Sequence, residues 1–445
     1  MQNAANDRTV GIYTLGCKVN QYESEAIKKR LAEKSFLVLD ESEFCSAYII
    51  NTCTVTGESD RKARQFIRRA ISENPDAYIL VTGCFSQLNP GSVAEIEGVD
   101  YICGNTDKLA VADALEALFE RGKKNDAPEI KVGDVNLSPF ESMSIDSFRR
   151  TRAYIKIEDG CESNCTYCII PAARGKIRSK PPDEVVAEAR ALAASGCPEI
   201  VLTGIETSAY GPSSGGCELE ELTGAVCGID GVERVRFGSL DPTVMSEKFV
   251  SRIASQKKVA PHFHLSIQSG CNDVLFAMKR KYNVDMVRKN VARLCAAIPN
   301  VKLSADIIVG FPGETEENFR ETLEFVKEIR FLNLHVFAYS KRAGTPAAKM
   351  KDQVAGEIKR RRSAELIALG KKIHREILEK EIARSPRKQV LFETFDGGYA
   401  CGHTPDFIEV KAPSDTPLRA EIRAVKLESV CGELCLGTLE DQIHT

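Results

Sequence analysis

Cys161, Cys165 and Cys168 form a C-x-x-x-C-x-x-C run within Asp159-Gly160-Cys161-Glu162-Ser163-Asn164-Cys165-Thr166-Tyr167-Cys168. No fourth cysteine or histidine stands beside them, whereas structural zinc usually takes four protein ligands. An iron–sulfur cluster held by three thiolates keeps one iron open for another partner, and that chemistry suits the run better. Cys17, Cys53 and Cys84 lie far apart in sequence, but each follows a short apolar run: Val10–Leu15, Ala47–Ile50 and Ala77–Thr82. If those runs are strands of one parallel sheet, the three residues sit just past strand carboxyl ends, where α/β folds gather their ligands. They are expected to form a second three-cysteine metal site. Cys103 ends a fourth such run without similar flanking residues and is expected to pack in the core.

The elements that must position these residues fall into three textures. Residues 8–120 alternate apolar strands with charged helices such as Glu23–Lys34 and Asp60–Glu73, as in a doubly wound parallel sheet. A polar, Pro-containing stretch, 121–146, reads as a linker. From 147 to 378, strand candidates begin near Arg152, Glu199, Arg234, His262, Leu303 and Leu334, with helical stretches between them. Six such units suggest a partial, open (β/α)6 TIM-like barrel. Residues 380–443 carry short β-rich runs split by Gly and Pro turns, the texture of a small antiparallel β-barrel of the oligonucleotide-binding kind.

Residues around the cysteines resemble a known family. Thr14-Leu15-Gly16-Cys17-Lys18-Val19-Asn20-Gln21-Tyr22-Glu23-Ser24, Asn51-Thr52-Cys53-Thr54-Val55-Thr56 and Val81-Thr82-Gly83-Cys84 are similar to the N-terminal domain of the methylthiotransferases. Asp159 to Cys168, continued by Ile169-Ile170-Pro171-Ala172-Ala173-Arg174-Gly175, resembles their radical S-adenosylmethionine (SAM) signature. Phe337 to Pro346 resembles the segment that closes that core, and the C-terminal barrel resembles a TRAM domain. The resemblance implies two 4Fe-4S clusters, one on Cys161, Cys165 and Cys168 and one on Cys17, Cys53 and Cys84, with SAM on the first. It places Tyr167 near the SAM adenine, although packing beside the cluster is an equal reading of that residue. It places Gly204 and Glu206 near the SAM amino group; many relatives carry Asn where this chain has Glu206. Lys180 stands where an Arg is usual.

No side chain is expected to act as catalytic acid or base, because carbon 2 of adenine bears a hydrogen that only a cofactor radical can remove. Within the family the wording is most similar to the branch that methylthiolates N6-threonylcarbamoyladenosine next to the tRNA anticodon. A branch acting on isopentenyladenosine and one acting on a ribosomal protein are the alternatives. The implied partners are the anticodon stem-loop of tRNA and an electron donor such as flavodoxin or ferredoxin. A cobalamin-dependent methylase is disfavoured by the absence of any histidine before His262. A non-catalytic iron–sulfur RNA-binding protein would keep the clusters and leave SAM uncleaved.

Composition narrows the setting. With 43% apolar and 28% charged residues, the chain reads as an ordinary globular protein. No window approaches eighteen apolar residues, and Met1–Arg8 contains no leader-like stretch, so neither membrane span nor secretory signal is expected. Sixteen cysteines then suggest the reducing cytoplasm. The net charge of −3 does not announce a nucleic-acid binder, but residues 356–390 hold eleven Lys or Arg against five Glu. Leu366, Leu369, Ile373 and Ile377 recur there at helical spacing, so one face packs while the other presents charge. A solvated helix is the plain reading; beside an oligonucleotide-type barrel the same charge suits phosphate contact.

Overall fold

The computed structural model describes residues 8–148, 151–211 and 215–440. Outside these lie residues 1–7 of the stretch read for a leader, 149–150 and 212–214 of the expected core, and 441–443 of the expected C-terminal unit. Among the described residues no helix is long and apolar enough to cross a membrane.

Strands β1 (Thr9–Thr14), β2 (Leu37–Leu39), β3 (Ala47–Thr52), β4 (Tyr78–Gly83), β5 (Tyr101–Cys103) and β6 (Glu129–Lys131) form one parallel sheet in the order β2-β1-β3-β4-β5-β6. β3 is buried along its whole length, and its apolar run Ala47–Ile50 suits a strand covered on both faces. The helices Lys18–Glu33 and Gly57–Glu73 cover the sheet; Thr56 caps the second by accepting from the Ser59 N–H at 3.1 Å. The stretch 121–146 is more than a tether, since it supplies edge strand β6 and buries Val135, Met143 and Ile145. Cys103 is buried in the core at the end of β5, where burial pushes its thiol up to about 12.

The central unit carries β7 (Arg152–Lys156), a ribbon of β8 (Glu158–Asp159) and β9 (Arg178–Ser179), then β10 (Glu199–Thr203), β11 (Arg234–Phe237), β12 (Ser239–Leu240), β13 (His262–Gln268), β14 (Lys302–Val309) and β15 (Asn333–Ala338). β11 pairs with β10, and β12, its continuation after Gly238, pairs with β13. The result is a six-unit parallel wall, β7-β10-β11/β12-β13-β14-β15, in which β7 and β15 are not paired. The first helix of the N-terminal unit docks on this wall. Its Tyr22 and Ala26 belong to the barrel's apolar core, and Tyr22 donates to the Met143 carbonyl at 2.7 Å.

After the long helix Gly356–Arg384, β16 (Arg387–Asp396), β17 (Tyr399–His403), β18 (Glu409–Pro413), β19 (Ile422–Cys431) and β20 (Leu434–Leu439) close a barrel in the order β16-β17-β18-β20-β19. Four of its pairings are antiparallel and β18–β20 is parallel. Parity explains the exception: up-down alternation cannot close around an odd number of strands. Phe407 joins this barrel to the central one. It stacks between His262 and His403 at 4.7 and 4.6 Å, with the Arg236 guanidinium 4.7 Å from its ring. Arg234 donates to the carbonyls of His403 and Gln389, and Arg236 to that of Pro405. Replacing Phe407 by Ala is expected to weaken this docking by about 2–3 kcal/mol. Limited proteolysis should then cut faster around Ser385, and an unchanged rate would show that the ring contributes nothing to docking.

Candidate metal centres

β1, β3 and β4 end level with one another, Thr14 opposite Asn51 and Thr52 opposite Gly83. Cys17, Cys53 and Cys84 therefore gather at one edge of the sheet: Cys17 at the N-cap of the first helix, Cys53 directly after β3, Cys84 at the start of a short helix after β4. Gly16 makes the approach possible. Its φ is +100°, and a Cβ there would lie 2.7 Å from the Cys53 sulfur. Burial pushes the Cys53 thiol up to about 11, and the neighbouring thiols add to the rise. Cys17 is exposed, whereas Cys53 and Cys84 are buried.

The second set lies in the loop between β8 and the helix Ile170–Arg174. Gly160 turns the chain into it with φ +95°, where a Cβ would meet the Lys176 carbonyl oxygen at 2.0 Å. The Cys161 N–H donates to the Gly175 carbonyl, and the Thr166 N–H to that of Met278, pinning the loop at both ends. Burial pushes Cys168 up to about 12, and the neighbouring thiols add to the rise.

Both sets fit a cluster better than a single ion. Among the described residues neither trio brings its three sulfurs within 4.8 Å of one another. One tetrahedral zinc would need them about 3.8 Å apart. Each set also has a guanidinium aimed at a sulfur, Arg174 Nε at 3.2 Å from Cys84 and Arg280 Nη1 at 3.1 Å from Cys165. Such donors would offset the negative charge of iron-bound thiolates.

A buried charge cluster holds the two sets in place. Glu23, on the first helix, is 1% exposed and faces Arg174, Lys108 and Lys156, each 1% exposed or less. Arg174 also reaches Asp159 and the Asn20 side chain. The three cations hold the Glu23 carboxyl well below the usual range despite the opposing effect of burial, the largest single influence on it.

Around the Cys161 loop the expected SAM-pocket residues take distinct places. Gly204 lies so close to Glu158 that a Cβ would sit 2.6 Å from its carboxylate, and the Glu206 N–H donates to the same oxygen at 2.7 Å. Burial and the nearby Asp241 push the Glu206 carboxyl up to about 7. Tyr167 packs edge-on to Phe311 in an apolar cluster with Met278 and Tyr339. Lys180 is buried in an ion pair with Glu188 at 2.5 Å. On the helix Gly356–Arg384, Arg361 and Arg362 pair with Glu316 and Glu314, and Arg375 with Glu379. Arg360, Lys372, Lys380 and Arg384 form no ion pair among the described residues.

Sequence reading missed Glu23, Arg174, Glu158, Asp241 and Arg280. The first two stand inside the family-like wording, which is the available signal. Glu158 and Asp241 follow strand ends, a weaker one. Glu23→Gln leaves three buried cations around a neutral amide and should destabilise the protein by about 3–5 kcal/mol in urea unfolding. A change below about 1 kcal/mol would show that the charges are compensated elsewhere.

The chain matches the Radical SAM superfamily over residues 155–326 and Uncharacterized protein family UPF0004 over residues 9–104. It is 39% identical to a threonylcarbamoyladenosine tRNA methylthiotransferase (MtaB) of Bacillus subtilis (strain 168), covering 94% of this chain and 93% of that one. It is 35% identical to a tRNA-2-methylthio-N(6)-dimethylallyladenosine synthase of Carboxydothermus hydrogenoformans, over 84% and 86% of the two chains. In fold it is similar to the radical SAM methyltransferase TsrM of Kitasatospora setae, with a TM-score of 0.55 at 16% identity, over 88% of this chain and 81% of that one.

Proposed function

Because the chain belongs to the methylthiotransferases of the radical SAM superfamily, we propose that it transfers a methylthio group to carbon 2 of N6-threonylcarbamoyladenosine beside the anticodon of a tRNA. The observation that carries this reading is the pair of three-thiol sets tied together by Arg174. That residue ends the helix directly after one set and hydrogen-bonds Cys84 of the other. The higher identity to the threonylcarbamoyl enzyme than to the dimethylallyl one favours the first substrate.

Two 4Fe-4S clusters and SAM, bound at these residues, supply the radical that removes the carbon 2 hydrogen and the methylated sulfur that replaces it. Cys161, Cys165 and Cys168 hold one cluster, and Cys17, Cys53 and Cys84 the other. Arg280 and Arg174 each donate to a ligand sulfur and so balance thiolate charge. Glu206, whose N–H donates to Glu158 beside Gly204, would accept from the SAM ammonium. Tyr167, packed edge-on to Phe311, would lie near the SAM adenine. The unpaired cations Arg360, Lys372, Lys380 and Arg384 offer phosphate contacts next to the C-terminal barrel, and the anticodon stem-loop is the RNA they engage. Reducing equivalents come from a low-potential protein such as flavodoxin or ferredoxin. Sixteen free thiols suit the cytoplasm.

Substituting Cys161, Cys165 and Cys168 together by Ala should leave about four irons per chain and abolish 5′-deoxyadenosine production. Substituting Cys17, Cys53 and Cys84 should also leave about four irons, keep SAM cleavage, and abolish sulfur insertion into threonylcarbamoyl-modified RNA. If the second triple variant still methylthiolates that RNA, the division of labour is wrong. If the wild-type protein cleaves no SAM, the enzyme reading falls with it.

A further inference from the structure

Strand residues that alternate with the apolar core make the inner face of the central barrel a polar chamber on the side of the N-terminal unit. One wall is a hydrogen-bonded trio on three adjacent strands: Asp306 Oδ1 lies 3.0 Å from His264 Nε2 and 3.2 Å from His335 Nδ1. Together the two imidazoles hold the Asp306 carboxyl well below its usual range. The floor is Arg236, stacked on Phe407 and anchored to Glu199 at 2.9 Å, with its Nη1 lacking any hydrogen-bond partner. Lys18, the residue after Cys17, comes from the N-terminal unit and senses Arg236, Asp306 and Arg152 across the chamber. It forms no hydrogen bond or ion pair among the described residues. All three units of the chain therefore border the chamber.

A chamber so lined does not suit every group carried on the N6 of adenine. A dimethylallyl group is hydrocarbon, and burying it here would leave the Lys18 ammonium and the Arg236 Nη1 without partners. A threonylcarbamoyl group ends in a carboxylate and a hydroxyl, and it would satisfy them. The trio also has the donor set of a two-histidine, one-carboxylate metal site. Two fixed cations beside it, Lys18 and Arg236, make a divalent ion the poorer occupant.

We propose that this chamber reads the N6 substituent, with Lys18 pairing with the threonyl carboxylate over Arg236 and the His335–Asp306 pair taking its hydroxyl. The proposal rests on the substrate reading above and names the groups that would enforce it. Lys18 and His335 are specificity determinants here; neither takes part in bond breaking.

The test pairs variants with substrates. Anticodon stem-loop RNAs would carry the threonylcarbamoyl group, its carboxamide (carboxylate neutralised) or its glycine analogue (hydroxyl absent), and kcat/KM for methylthiolation would be measured with the cluster-reconstituted full chain. The wild type should prefer acid over carboxamide on the order of 100-fold, and Lys18→Met should bring that ratio near one. His335→Leu should slow the threonine substrate about tenfold and leave the glycine analogue within about threefold. Either variant slowing all substrates equally would overturn its assigned contact. If Lys18→Met loses iron, His335→Leu on the threonine and glycine RNAs decides. One zinc per chain, lost in His335→Leu and required for acid preference, would replace the proposal with a metal site. A wild type that modifies only dimethylallyl RNA would instead refute the substrate reading itself.

Discussion

The carboxylate of Glu23, buried among Arg174, Lys108 and Lys156, is the interaction on which the rest of the arrangement depends. Two of its cations belong to the central unit, Lys156 on β7 and Arg174 after the Cys161 loop, while Lys108 shares the N-terminal unit with Glu23. An ion cluster with so little exposure gains little over an apolar core of equal volume. Its value lies in position. A carboxylate surrounded by fixed donors tolerates little displacement, so the first helix, the loop after β8 and the strand ends of the N-terminal sheet are held in one register. Arg174 adds its contact to Cys84 and turns that register into a fixed relation between the two thiol sets.

The glycines before the ligands serve the same end on a shorter scale. At Gly16 and Gly160 the backbone runs through positive φ with neighbouring atoms too close for a Cβ. The turn is thus written into residue choice, and the cysteine that follows is aimed by the backbone. The guanidiniums of Arg174 and Arg280 then each meet one sulfur of a trio.

Much of this was legible beforehand, for physical reasons. Long apolar runs buried on both faces, such as Ala47–Thr52, announce parallel strands, and residues after their carboxyl ends must converge. Cys17, Cys53 and Cys84 could therefore be grouped without a structure. The parallel β18–β20 pairing follows from strand parity, which a strand count shows only once closure is known. Glu23 and Arg174 were not legible as a pair, because 150 residues separate them and a lone charge in a helix usually faces water. The basic helix is less free than its composition suggests: several of its cations pair with neighbouring carboxylates such as Glu314 and Glu316, which only tertiary contact reveals.

The central claim is that two three-thiol sets, fixed by Glu23 and Arg174, serve one modification of one tRNA nucleoside. Mass spectrometry of nucleosides from tRNA of cells lacking this protein tests it most directly. The account predicts that 2-methylthio-N6-threonylcarbamoyladenosine disappears while N6-threonylcarbamoyladenosine accumulates in its place. Persistence of the methylthio nucleoside, in cells with no second enzyme of this kind, would contradict it.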